Sequence, residues 1–125
     1  MSLYAARADL AEALGTVTGY RFDDHVPAQV EPPCGFVEPA DDYVRHTDTY
    51  DTAEVFVTVR LWLLVPFVDG ANDTATNDLD KFLKEVVTRL PEDYTIAGSG
   101  QPGPVTANGW LAHGIHLDLT TLTTL

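Results

Sequence analysis

The sequence predicts an α+β domain, a mainly antiparallel sheet with two helices packed on one of its faces. Three observations carry this. Residues Val55 to Val65 alternate with the period of a strand; Leu79, Phe82, Leu83, Val86, Val87 and Leu90 recur at helical spacing; and Asn108-Gly109 separates two short β-prone runs. With 125 residues, the chain reads as a single domain, 1–125, able to bury a core of its own.

Ser2 is placed to cap a first helix running to about Leu14, with Leu3, Ala6, Leu10, Ala13 and Leu14 as its apolar stripe and Gly15 as terminator. Gly15 to Asp51 is punctuated by Pro27, Pro32, Pro33, Gly35 and Pro39. Two short extended pieces fit there, Gly19–Asp23 and Gly35–Glu38. Flanking prolines, which lack a backbone donor, predict an edge position for the second. Ala40 to Thr52 reads as a polar, acidic loop.

Glu54 to Val65 is the clearest strand. Val55, Val57, Val59, Leu61, Leu63 and Val65 form an unbroken apolar face. The opposite face, Glu54, Phe56, Thr58, Arg60, Trp62 and Leu64, is mixed, which predicts a cover from the chain itself or from a partner. A turn over Asp69 to Asn77 leads into a second helix, Asp78 to Leu90, ended by Pro91. Its early aspartates and late Arg89 suit the helix dipole. A short strand at Tyr94–Ala97 and a loop at Gly98–Gly103 follow. The Asn-Gly turn then joins Val105–Ala107 to a last strand running from Trp110 to about Leu122. On that strand Leu111, Ile115, Leu117 and Leu119 share one face, and His116, Asp118 and Thr120 the other.

Composition narrows function. Nineteen Asp and Glu against seven Lys and Arg give a formal charge of -12, a surface that repels a nucleic-acid backbone. The longest apolar run, Leu61 to Val68, falls far short of the roughly 20 residues of a membrane helix. The first residues lack a basic-then-apolar signal, predicting a protein that stays in the cytoplasm where it is made. Cys34 is the only cysteine, so an intramolecular disulfide and a cysteine-based zinc site are excluded.

No catalytic, cofactor or metal site is expected. His113 and His116 lie three apart and face opposite sides of a strand; His116 and Asp118 share a face but supply only two ligands. Both histidines read as surface polar residues. Cys34 has no basic neighbour in sequence to make it a thiolate, and reads as an ordinary thiol. The Asp41–Asp51 segment lacks the ligand alternation and central glycine of a calcium loop. Gly98 to Gly103 leads to a strand and lacks a Lys-Ser/Thr tail, so it is no phosphate cradle.

The layout resembles the tail-terminator proteins of long-tailed, siphovirus-type bacteriophages, in particular those infecting actinobacteria. The resemblance rests on the opening Leu3-Tyr4-Ala5-Ala6-Arg7-Ala8-Asp9-Leu10-Ala11-Glu12-Ala13-Leu14 and on the proline-punctuated Val26 to Pro39, ending in Phe36-Val37-Glu38-Pro39. The strand Val55–Val65, the helix Asp78–Leu90 and the hairpin strand at Trp110 complete it. It covers nearly the whole chain, as a match of order and spacing. It implies a homohexameric ring in the virion neck, assembled in the host cytoplasm. One face would dock on the major tail tube protein and stop polymerisation; the other would receive a head-tail connector protein, with DNA passing through unbound. Another connector or tail-completion subunit, and from a different class a small enzyme or soluble ligand-binding domain, remain as alternatives. No family motif assigns individual residues. The interface candidates come from exposure logic: Phe56, Arg60 and Trp62 on the mixed strand face, Asp41, Asp42, Tyr43, Asp48, Tyr50 and Asp51 in the acidic segment, and Gln101 in the glycine-rich loop.

Overall fold

The computed structural model describes residues 3–16, 20–46, 54–66, 72–107 and 109–124. In chain order the elements are α1 (Leu3–Leu14), β1 (Arg21–Asp23), β2 (Cys34–His46), β3 (Glu54–Pro66), α2 (Asn72–Thr88), β4 (Thr95–Ser99), β5 (Gly103–Ala107) and β6 (Trp110–Thr124). The strands form one six-stranded sheet ordered β1-β2-β3-β6-β4, with β5 also paired to β6. Among the described residues, only the β1–β2 pairing is parallel. This is the expected α+β class.

β6 organises the sheet. One of its edges pairs with β3 from Glu54↔Thr124 to Pro66↔Ala112. The other edge takes β5 opposite Trp110–Gly114 and then β4 opposite Leu117–Thr120. The β5–β6 turn is the anticipated two-residue hairpin, Ala107 facing Trp110, with Gly109 at φ +81°, a left-handed conformation that glycine adopts without a Cβ penalty. Asn108 lies outside the described residues.

The core forms where the strand alternation predicts it. Val55, Val57, Val59, Leu61, Leu63 and Val65 are buried against Leu10 and Leu14 of α1 and Ala75, Leu79, Phe82 and Val86 of α2. Both helices therefore cover the same face. The Phe82 ring stacks on Tyr20 at 3.8 Å between centroids and meets Phe22 edge-on at 5.7 Å. Tyr94 donates a hydrogen bond to the Ala6 carbonyl, tying the approach to β4 onto α1.

Several expectations are corrected. The segment read as an acidic loop from Ala40 belongs to β2 as far as His46, with an irregularity between Pro39 and Val44. Pro39 faces Val59 and Val44 faces Val57, so Ala40, Asp41, Asp42 and Tyr43 bulge opposite Thr58. The expected edge position of β2 holds only beyond Phe36, because β1 covers Cys34–Phe36 and no described strand pairs farther along that side. Pro39 sits in this open stretch, where a missing donor costs least. Helix α2 starts at Asn72, not Asp78, and its Val87 is 43% exposed, off the core stripe. Leu111, expected on the core face, is 51% exposed near the hairpin turn. β4 occupies Thr95–Ser99 instead of Tyr94–Ala97. His113 is a buried residue, its Nε2 3.2 Å from the Thr76 hydroxyl of α2, because it falls on the helix-covered face of β6.

Candidate functional site

The second face of the sheet divides into two halves. At the end near Leu64 the chain covers itself. Val30, Cys34, Phe36, Leu64 and Ala112 form a separate buried cluster, flanked by half-buried Val26, Trp62 and Val105. The proline-rich stretch before β2 thus supplies the lid that the mixed face of β3 required. Close approach depends on Gly114, where a Cβ would stand 2.5 Å from Leu64 Cδ2 and 2.9 Å from the Leu63 carbonyl oxygen. Burial pushes the Cys34 thiol up from its ordinary pKa, with a backbone hydrogen bond at Glu31 opposing. That makes it a poor nucleophile at neutral pH.

From Trp62 to Phe56 no described element covers the same face, and its side chains interact as cross-strand pairs set by the β3–β6 register. Trp62 Nε1 donates to Glu38 Oε1 at 2.7 Å, and the indole meets His116 edge-on at 4.9 Å. Arg60 Nε donates to Asp118 Oδ1 at 2.9 Å and its Nη2 to Oδ2 at 3.3 Å, a two-pronged pair that raises the Arg60 pKa above its ordinary value. The Thr58 and Thr120 hydroxyls share a hydrogen bond at 3.0 Å. The Arg45 guanidinium lies 5.2 Å from the centre of the Phe56 ring, and Phe56 faces Leu122, itself 45% exposed.

The interface candidates scatter relative to this row. Phe56, Arg60 and Trp62 lie in it together. Asp41 and Asp42 are exposed on the β2 bulge, and Asp41 is close enough to act electrostatically on Arg60. Tyr43 is half-buried and packs against the helix-side core cluster. Gln101 is exposed beside Gly100, whose N–H donates to the His116 carbonyl at 3.0 Å, so its loop borders the Trp62 end. Asp48, Tyr50 and Asp51 lie outside the described residues.

Glu38, Arg45 and Leu122 also belong to the open face and were not among the candidates. The period-two alternation already separated His116, Asp118 and Thr120 onto one side of β6; what it lacked was the register that sets them opposite Trp62, Arg60 and Thr58. Arg45 carried no such signal, because it follows the bulge.

Chemically, the row offers a rigid amphipathic surface. Among the described residues, no three His, Cys, Asp or Glu side chains are placed to share a metal ion. The chain matches no protein-family model and no curated protein, so the site rests on its own geometry.

Proposed function

We propose that the chain is a structural virion subunit, a tail-terminator-like protein that forms a ring at the head-proximal end of a phage tail tube, stops its polymerisation and presents a docking face to a head connector. The observation that carries this reading is the open half of the second sheet face. A one-sided antiparallel sheet ordinarily turns polar residues to water. Here Phe56 and Leu122 stand side by side with no covering element among the described residues, a surface suited to burial against a neighbour.

Two sheet edges support the same reading. β2 beyond Phe36 and the outer side of β4 have no strand partner among the described residues. Such edges accept strands from adjoining subunits. The charge of -12 suits a ring through which DNA slides without adhering. No described helix is long and apolar enough to cross a membrane.

Native mass spectrometry across a salt series, followed by electron microscopy, tests the proposal. Closed six-fold rings that tighten as salt screens the repulsion between acidic subunits are expected. A protein that stays monomeric at every salt and also fails to cap purified tail tubes would overturn it.

A further inference from the structure

The geometry points to a receptor for an arginine side chain of a basic partner protein, in the pocket between the lid segment and the sheet. This inference concerns the isolated subunit and does not depend on ring formation. The pocket is lined by Val26, Phe36, Glu38, Trp62, Val105 and Thr106 and has a volume of about 230 Å³. That is below the ~300–1,000 Å³ typical of sites for drug-sized ligands, and suits a single inserted side chain.

Its walls are the half-buried Trp62 indole, the buried Phe36 ring, two valines, Thr106 and one carboxylate. The Trp62 indole holds Glu38 through Oε1 at 2.7 Å, so the carboxylate is fixed in place before any partner arrives. Glu38 forms no salt bridge among the described residues. Arg60, its register neighbour on β3, is committed to Asp118 through both of its hydrogen bonds. Three carboxylates, Glu38, Asp41 and Asp118, thus act on one guanidinium, and the site has room for a second cation.

The half-buried Trp62 indole favours arginine over lysine. A guanidinium is planar and weakly hydrated, so it stacks on rings while its N–H groups reach a carboxylate, whereas an ammonium gives up more water to enter. Charge decides whose arginine it is. A second copy carries -12 and is repelled at long range, while a basic surface is attracted and steered. A nucleic-acid ligand is disfavoured by the same carboxylates.

The test follows the Trp62 indole N–H signal in ¹H–¹⁵N spectra as N-acetyl-arginine amide is titrated into the protein, with N-acetyl-citrulline amide as an uncharged probe of the same shape. A saturable shift with the arginine probe alone is expected, weakened at least five-fold in Glu38→Gln. That variant keeps an oxygen acceptor for Trp62, and its remaining amide signals report an unchanged fold. No saturable shift, or an equal shift with the citrulline probe, would remove the site. If sedimentation shows that Glu38→Gln dissociates an oligomer formed by the wild-type chain, the occupant is a second copy and the basic-partner assignment is overturned.

Discussion

One strand, β3, shows the two faces of the sheet obeying different rules. On the helix side, Val55, Val57, Val59, Leu61, Leu63 and Val65 are at most 3% exposed and belong to the apolar core cluster. On the opposite side, Phe56, Thr58, Arg60 and Trp62 keep contact with water, and each is matched to a specific neighbour across the register. Volume selects residues on the first face; pairing selects them on the second. Stability should therefore reside with the helices, and recognition with the open face.

The largest effect that would sharpen this contrast is expected at Phe82. Removing a fully buried ring that stacks on Tyr20 in Phe82→Ala should cost about 3–5 kcal/mol, read from denaturant unfolding. A loss under about 1 kcal/mol would mean that α2 is not seated on the sheet as described.

Tyr94→Phe should cost less, about 0.5–1.5 kcal/mol, by deleting the hydrogen bond to Ala6. It also carries a pH signature. Burial, reinforced by Asp93 and Asp9, pushes the Tyr94 phenol up from 10.0 to about 12. The folded state thus favours the protonated phenol. Its contribution is complete below the unfolded pKa of 10.0 and drains away as pH rises through about 12. Unfolding curves of wild type and Tyr94→Phe should converge across that window; a constant gap would show that ionisation of Tyr94 is not linked to folding.

The smallest effect on folding is expected on the open face. Leu122→Ser should change monomer stability by no more than about 0.5 kcal/mol, and Phe56→Ser by up to about 1 kcal/mol through lost contact with Arg45. Both should nonetheless reduce ring formation in electron micrographs. If either variant unfolds the domain, the two faces do not divide their labour in this way.

How far these faces could be read from the sequence differed for the same reason. The β3 alternation and the α2 stripe are periodic, so the covered face was visible residue by residue. The Leu64 lid was not. Val26 and Val30 sit in a proline-punctuated segment with no periodicity, and only tertiary contact reveals that they close over Phe36 and Leu64. β2 was misread for a local reason. Asp41 and Asp42 are poor strand residues, yet a bulge at an open edge accommodates them and leaves them exposed. Of the site, the residue types were legible, but pairs such as Arg60 with Asp118 depend on a register spanning distant strands.

The central place of β6 has a consequence for synthesis on the ribosome. β3 emerges early, but its partner along one whole edge is β6, and among the described strands β4 pairs with that same late strand alone. The sheet cannot close as the chain appears; β3 must wait with an unpaired edge until residues 110–124 clear the exit tunnel. Over that interval the acidic character of the nascent chain acts as a solubility device, holding neighbouring copies apart while their most adhesive strand is bare.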